Sequence, residues 1–271
     1  MHVKGSRTNR TPGARGFVAV RLIAVLLSVT GPVLAADEAR LRVLVAADED
    51  PEMFSFEPGT PPGLEREMIE GFARAHGLRL EVIPVVRFEQ IIPNLNNRQG
   101  DVIMGIVDTE GRRALVSFTD EVLPTRHVVV GLTSRAQVRG VEQLRIQKVG
   151  VVTGSSWAEA AASAGVPPNR IIAFTDTPAM MTALLSGQVN VAVMGISSFA
   201  LGRKKHPELR ADLYLGEPGR HAWAVRKSDV ALRAQLNQHI ALLKGSGAWG
   251  QLLARYLSPD ALALFTSARK P

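Results

Sequence analysis

Short apolar runs alternate with helix-like segments from residue 41 onward, and this order restricts the fold more than any other feature of the chain. LRVLVAA (41–47), LRLEVIPVV (78–86) and DVIMGIV (101–107) are apolar, β-leaning runs that predict strands. Residues 64–77 place apolar side chains on one helical face and end at a glycine, and residues 88–97 predict a short helix. Strands and helices in this order build a parallel sheet that is covered on both faces.

A second series of the same kind follows in the other half of the chain. Strands are predicted at 147–154, 170–176 and 189–195, with helices at 156–165 and 177–187. Two similar series predict an α/β fold in which two βαβ lobes are joined by two crossover segments.

The crossovers set the expected domain boundaries. The chain after residue 230 predicts two amphipathic helices, broken at Gly245 and Gly247. The expected boundaries are a signal peptide at 1–35, lobe 1 at 36–130 and 222–271, lobe 2 at 131–221, and crossover segments near 127–134 and 215–224.

The first 35 residues have the composition of a secretory signal peptide. They contain five basic residues and no acid, followed by the apolar run Leu22–Ala35, which is too short to favour a permanent membrane span. Small residues predict cleavage after Ala35, with Ala36 as the alternative. We therefore expect export to the periplasm through a cleavable N-terminal signal peptide.

Removing this segment changes the charge of the chain. It leaves 27 basic against 25 acidic residues, a net charge of +2, so the basic character that would favour nucleic-acid binding is mostly lost. The chain has no cysteine, which excludes disulfides and a lipid-modified cysteine. The six histidines show no metal-ligand spacing, and no phosphate-binding or dinucleotide motif is present, so we expect no metal and no cofactor.

The run from Phe88 to Asp120 contains the clearest binding signal. Thr109 and Arg112 follow a predicted strand, and an arginine fork beside a hydroxyl group suits a carboxylate. The run also resembles the amino-acid-type periplasmic solute-binding proteins of ABC transporters. The matching segments, in order, are Phe88, IIPNL (91–95), QGDVI (99–103), TEGR (109–112) and FTD (118–120).

The resemblance implies a two-lobed fold that closes on a small solute, and it assigns roles to several residues. Arg112 would clamp the ligand carboxylate, with Arg113 as the alternative if the spacing from Asp101 is read without a gap. Phe88 and Phe54 are candidates for an aromatic pair around the ligand, although Phe54 fits core packing at least as well, and Trp157 is a further candidate.

Gly154, Ser155 and Ser156 form a predicted strand-to-helix turn. Backbone N–H groups at the positive end of a helix, together with two hydroxyls, can bind an anion, and a serine helix cap is compatible with that role. The resemblance assigns this turn to carboxylate binding from the second lobe.

One departure from the family pattern bears on the ligand. In the amino-acid binders an acidic residue at the end of a second-lobe strand takes the α-ammonium group, and here Gly195 stands at that place. Asp48 or Glu49 could substitute from the loop after the first strand. A ligand with a carboxylate but no obligatory ammonium group therefore fits this pattern better than a standard α-amino acid.

The resulting functional prediction is a monomeric, non-enzymatic receptor that delivers a small carboxylate-bearing solute to an inner-membrane ABC permease. The alternatives are an enzyme resembling cyclohexadienyl dehydratases, which would need a general acid such as Asp48, Glu49, Asp108 or Glu110, and a ligand-sensing accessory protein. The acids of the first helix, Glu65, Glu67 and Glu70, are interpreted as solvated residues that suit the helix dipole, and RKKH (203–206) as a solvated basic turn.

The leader predicts how the chain is processed. We expect the exported protein to begin at Ala36 or Asp37 and to be released into the periplasm. N-terminal sequencing of the periplasmic fraction measures this directly. Recovery of the whole chain in the inner membrane would contradict the prediction.

Overall fold

The computed structural model describes residues 39–269, so the predicted signal peptide lies outside the described residues. Three strands and three helices alternate in the first part of the chain. They are β1 (Arg40–Ala46), α1 (Leu64–Ala75), β2 (Arg79–Val85), α2 (Ile91–Asn96), β3 (Val102–Val107) and α3 (Glu110–Arg113), with a 3₁₀ turn at Phe88–Gln90 before α2.

The rest of the chain contains five strands and seven helices. They are β4 (Ser117–Leu132), α4 (Val141–Arg145), β5 (Val149–Val152), α5 (Ser156–Ser163), β6 (Ile171–Phe174), α6 (Thr177–Ser186), β7 (Val191–Gly195), α7 (Ile196–Lys205), β8 (Leu209–Val225), α8 (Val230–Lys244), α9 (Ala248–Tyr256) and α10 (Pro259–Ala268). A 3₁₀ turn at Pro168–Arg170 precedes β6.

The eight strands form a sheet in the order β2-β1-β3-β8-β4-β7-β5-β6. β1 pairs in parallel with β2 and β3, and β5 pairs in parallel with β6 and β7, as the strand and helix order predicts. The α/β fold class is confirmed. The sheet as a whole is mixed, because β8 and β4 between the two parallel groups run antiparallel to their neighbours.

The two long central strands carry the chain between the parallel groups. β4 pairs with β8 from Ser117 opposite Val225 to Leu132 opposite Leu209, with several register shifts along the ladder. The segments predicted as crossovers, 127–134 and 215–224, lie almost entirely within these strands.

The core follows the predicted apolar faces. On α1 the buried side chains include Leu64, Met68, Ile69 and Phe72, as the helical periodicity indicates. The two predicted C-terminal helices are α8 and α9, and a third helix that was not predicted follows them. The third, α10, begins after Ser258, whose hydroxyl accepts a hydrogen bond from the N–H of Ala261 and caps the helix. Within residues 39–269, no helix combines the length and the apolar character needed to cross a membrane.

Candidate ligand-binding site

A cavity of about 430 Å³ lies at the carboxyl ends of parallel strands from both groups. Its wall includes Ala46, Val107 and Val152, which end β1, β3 and β5, together with side chains from the segments that follow them. Ligands of open parallel sheets bind at this edge, and the volume suits a small molecule. Both parallel groups therefore supply parts of one wall.

Arg112 supplies a buried positive charge to the cavity wall. Its side chain is almost fully buried, and its guanidinium group donates to the carbonyls of Val107 (2.9 Å) and Gly154 (3.4 Å). The same group lies 5.4 Å from the centre of the Phe88 ring. Burial lowers the pKa of Arg112. Within residues 39–269 it makes no ion pair with a carboxylate, so an anion in the cavity would be its natural partner.

Local structure fixes the direction in which Arg112 points. Thr109 caps the short helix α3, because its hydroxyl accepts a hydrogen bond from the N–H of Arg112 at 3.3 Å. Thr109 does not line the cavity, so it positions the arginine rather than the ligand. The neighbouring Arg113 is turned away and donates to Asp108 at 2.6 Å, and Asp108 also accepts from Arg220 at 2.7 Å. The cavity is therefore lined by Arg112 and not by Arg113.

Ser155 and Ser156 lie in the wall at the start of α5. Ser155 is the helix cap: its hydroxyl accepts from the N–H of Ala158 and donates to the carbonyl of Val152 at 2.6 Å. Gly154 precedes them with φ +72°, and a Cβ atom there would lie 2.7 Å from the Cβ of Glu89. The close approach of the 3₁₀ turn before α2 thus requires a glycine at this position.

Two histidines lie close to Arg112. Nε2 of His127 is 3.0 Å from the hydroxyl of Ser156, and His221 lines the cavity. Burial, followed by the charge of Arg112, lowers the pKa of each histidine to about 4, so both rings are neutral at pH 7. Neither was identified from the sequence, since their only signal is a polar residue within an apolar strand.

Gly195 ends β7 and does not itself line the cavity. A Cβ atom built on it would lie 3.5 Å from Nε1 of Trp157 and 3.7 Å from the hydroxyls of Ser197 and Thr125. Thr125 is buried, and its hydroxyl has no hydrogen-bond partner among the described residues. The indole donates and the two hydroxyls can donate or accept, so the place where the family pattern has an acid carries no negative charge to balance an ammonium group.

The loop after β1 brings acids to another part of the wall. Asp48 and Glu49 both line the cavity, and Asp48 accepts a hydrogen bond from the N–H of Thr177 at 2.8 Å. Burial, followed by the charge of Glu65, raises the pKa of Glu49 to about 8. Burial likewise raises the pKa of Glu65 to about 7, although the indole N–H of Trp223, at 2.9 Å, opposes this shift.

The interpretation of Glu65 as a solvated residue at a helix start is wrong. Its side chain is 2% exposed and lies beneath the cavity wall, where a Cβ atom on Gly105 would be 3.3 Å from both of its carboxylate oxygens. Gly105 lines the cavity in a strand bulge with φ +57°. A side chain at position 105 would therefore be strained and pressed against Glu65.

The aromatic residues predicted for the site differ in position. Phe88 lines the cavity beside Arg112, and Trp157 also contributes to the wall. Phe54 is 1% exposed and packs in the core, 5.6 Å from the ring of Phe56. Phe54 therefore does not belong to the cavity wall, because the loop folds it inward onto α1.

The basic turn after α7 also differs from the prediction. Lys204 and Lys205 are not simply solvated: they form ion pairs with Glu52 (2.6 Å) and Asp50 (3.0 Å). These acids belong to the loop between β1 and α1, so the pairs join the two parallel groups beside the cavity.

Known proteins resemble this chain in sequence and in fold. Residues 41–259 match the family model of the bacterial extracellular solute-binding proteins, family 3. The chain belongs to this family. Among its relatives is a probable histidine-binding protein of Neisseria gonorrhoeae, which is 24% identical over 74% of this chain and 77% of the relative.

Solved structures share the fold. ArgBP from T. maritima, in a mutant form, has a TM-score of 0.74 at 24% identity and covers 80% of this chain and 95% of its own. The ancestral amino acid-binding protein AncCDT-1, a precursor of cyclohexadienyl dehydratase, has a TM-score of 0.73 at 22% identity and covers 81% of this chain and 96% of its own. Other relatives are membrane-bound lytic murein transglycosylases F, and this chain spans only about half of their length.

The buried acids predict how stability depends on pH. An acid with a raised pKa binds more protons in the folded state than in the unfolded state, so stability falls as pH rises toward the folded pKa. Above about pH 7 most of each unfolded histidine is already neutral, so His127 and His221 oppose this fall only slightly. Between pH 7 and 8 we expect the free energy of unfolding to fall by up to about 1 kcal/mol, mainly through Glu49.

Urea unfolding at several pH values measures this slope. Glu49→Gln should flatten it, because glutamine does not titrate, and Glu57→Gln on the exposed part of the same loop should leave it unchanged. The same slope in Glu49→Gln and the wild type would contradict the prediction.

Proposed function

We propose that the protein is an exported receptor that captures a small carboxylate-bearing solute and delivers it to an inner-membrane ABC permease. The observation that carries the proposal is the buried guanidinium group of Arg112, which faces a cavity and has no carboxylate partner among residues 39–269. A buried charge without a partner is costly, and a ligand carboxylate would remove that cost. Membership of the solute-binding family supports the same role.

The surroundings of Arg112 favour an anion as well. The helices α5 and α7 both begin at the cavity, with Ser156 and Ser197 in the wall, and their N-terminal N–H groups add partial positive charge. His127 and His221 are neutral and add no negative charge to this part of the wall. We assign carboxylate binding to Arg112, Ser155 and Ser156, with Phe88 packing against the ligand and the arginine.

Ligand capture in this proposal uses the two parallel groups as lobes. Residues 36–130 with 222–271 would form one lobe and residues 131–221 the other, and the long strands β4 and β8 would be the hinge. Because the cavity wall comes from both groups, closure around a solute would bury it. We propose that the protein acts as a monomer.

Replacing Arg112 tests the proposal. We expect Arg112→Ala to weaken binding of the solute by roughly 30-fold or more, because loss of one partner of a desolvated charge pair costs about 2 to 5 kcal/mol. A thermal-shift screen of organic acids and amino acids identifies the solute, since a ligand at 100 times its dissociation constant stabilises by about 2.7 kcal/mol. Calorimetry on the variant then measures the loss.

Arg113→Ala is the matched control. Arg113 pairs with Asp108 outside the cavity wall, so its loss should change affinity little. Arg112→Ala removes a buried charge without an acidic partner and should leave the fold intact by circular dichroism. A larger loss of affinity in Arg113→Ala than in Arg112→Ala would overturn the assignment of the clamp.

The pocket around Gly195 generates a second binding prediction. Because Trp157, Ser197 and Thr125 carry no negative charge for an ammonium group there, we expect a 2-oxo or 2-hydroxy acid to bind at least as well as the matching α-amino acid. Gly195→Asp should reverse this preference by supplying an acid for the ammonium group. The backbone at Gly195 (φ −75°) accepts aspartate, and a Cβ atom makes only ordinary contacts.

Calorimetry with the α-amino acid and with its 2-oxo or 2-hydroxy analogue, on the wild type and on Gly195→Asp, measures this preference. The aspartate would also cap α7, so unfolding temperatures are compared separately from the ratio of affinities. Tight wild-type binding of an α-amino acid, with its oxo and hydroxy analogues rejected, would show that another acid holds the ammonium group.

One observation favours a second function, a dehydratase-like enzyme. Such an enzyme needs a general acid, and the pKa of about 8 at Glu49 keeps a proton on a carboxyl group in the cavity wall at neutral pH. Asp108 is unsuited to this role, because two arginines engage it. The test follows dehydration of a cyclohexadienyl substrate by the absorbance of the aromatic product. Turnover by the wild type that is lost in Glu49→Gln would establish the enzyme. Absence of turnover by the wild type would exclude it.

A further inference from the structure

Part of the cavity wall is formed by the facing sides of two helices, α6 and α7. The lining positions of α6 have the i, i+3, i+4 and i+7 spacing of one helical face: Pro178, Met181, Thr182 and Leu185. The lining positions of α7 repeat this spacing: Ser198, Leu201, Gly202 and Lys205. At about 1.5 Å per residue each face is roughly 10 Å long, so the two faces form an extended groove within the cavity, the α6–α7 groove.

The α6–α7 groove is largely apolar. Met181 and Leu201 are buried in the main hydrophobic core, and Leu185 is half-buried against it. Met53, from the loop between β1 and α1, lines the same cavity and packs in the same core. The hydroxyl of Thr182 donates to a backbone carbonyl within α6 at 2.9 Å, so it is already used. Methionine side chains are unbranched and flexible, and two of them in the wall can adapt to apolar groups of different shape.

The charged groups beside the α6–α7 groove are already engaged. Lys205 pairs with Asp50 at 3.0 Å, and Asp48 accepts a hydrogen bond of 2.8 Å from the N–H of the first residue of α6. Nδ1 of His206 lies 3.7 Å from a glutamate carboxylate. Glu49 accepts from the N–H of Asp50 at 3.2 Å, and burial raises its pKa to about 8, so at pH 7 it is largely protonated. A second charge on the ligand would be costly to bury here.

The cavity is larger than a carboxylate needs. At about 30 Å³ for each water-sized group, its volume of about 430 Å³ has room for roughly 14 such groups. A carboxylate beside Arg112 occupies only a small part of this space. Because Arg112, Ser156 and the α6–α7 groove line one continuous cavity, a single molecule can contact all of them. Burial of apolar surface in the groove would favour binding.

We propose that the α6–α7 groove binds an uncharged hydrocarbon tail of the ligand, so that the solute is a monocarboxylate with a tail of several carbons. This rests on the proposed function for the position of the carboxylate at Arg112. The arginine then supplies the single charged contact, and the tail supplies an affinity that grows with its length.

Calorimetry at pH 7 with butanoate, hexanoate and octanoate, below the concentration at which octanoate self-associates, measures the contribution of the tail. We expect the affinity to rise about fourfold for each added methylene group. Hexanedioate and 6-aminohexanoate carry a second charge at the far end and should bind more weakly than hexanoate. Equal affinities of butanoate and octanoate, or tighter binding of either doubly charged probe than of hexanoate, would overturn the proposal.

Gly202→Leu places a side chain in the groove. A Cβ atom at this position makes only ordinary contacts, 3.5 Å from Cε of Met181 and 3.6 Å from Cδ1 of Leu209, and leucine favours a helix. The variant should weaken octanoate binding about tenfold or more and change butanoate binding little. Gly250→Leu is the matched control, because Gly250 lies on α9 with open space around it. An octanoate preference of unchanged size in Gly202→Leu would contradict the groove.

Leu185→Ala gives a second measurement that does not depend on adding volume. The shorter side chain removes apolar surface from the groove, so the gain from hexanoate to octanoate should shrink. Leu242→Ala is its matched control, since Leu242 lies on α8 and is 68% exposed. The same gain in Leu185→Ala and Leu242→Ala would count against the groove.

Arg112→Ala and 1-octanol, which has the tail without the carboxylate, separate the groove from the clamp. If the clamp is wrong and the groove is right, 1-octanol binds the wild type as tightly as octanoate, Arg112→Ala changes neither affinity, and Gly202→Leu weakens both. If the clamp is right and the groove is wrong, the three acids bind equally, all of them lose affinity in Arg112→Ala, and 1-octanol does not bind. Absence of binding by the acids and by 1-octanol would overturn both.

Discussion

The antiparallel pairing of β4 with β8 is the constraint on which the rest of the structure depends. These two strands are the longest in the sheet, and each continues from one parallel group into the other. Their ladder carries its register shifts near Glu121 and Thr125, close to the cavity. The same pair supplies His127, Thr125 and His221 to the site, so the connection between the groups and the lining of the site come from the same residues.

The cavity is electrostatically divided. One part of the wall has a positive potential and carries hydrogen-bond donors. These come from Arg112, from the N-terminal ends of α5 and α7, and from the indole N–H of Trp157. Glu49 lines another part of the wall and Glu65 lies behind it, and burial raises the pKa of each acid. Neutral histidines lie near the arginine, where two further positive charges would be costly.

Sequence periodicity predicted the order of strands and helices, because that order depends on the local spacing of apolar residues along the chain. The motif around Phe118 fixed the register on Arg112, and Arg112 and the predicted turn at Ser155 both lie in the cavity wall; their role in binding stays a prediction. The sequence could not identify His221, Thr125 or Glu65, whose importance comes from what β4, β8 and α1 place beside them. Glu65 is the clearest case: an acid in the first turn of a helix is ordinarily solvated, and only the contact with Gly105 and Trp223 turns it inward. Phe54, a candidate for the aromatic pair around the ligand, packs in the core instead, because an aromatic residue in a loop can fold inward.

The lack of an acid at Gly195 and the positions of the acids Glu49 and Glu65 both affect the surroundings of the Arg112 charge. The resemblance places an acid for the ammonium group of an α-amino acid at the position of Gly195; here Trp157, Ser197 and Thr125 surround that position, and the acids Glu49 and Glu65 lie instead on the loop after β1 and on α1. With these acids on the loop and on α1, the Arg112 guanidinium has no carboxylate partner among residues 39–269, and its charge remains available to an anion in the cavity.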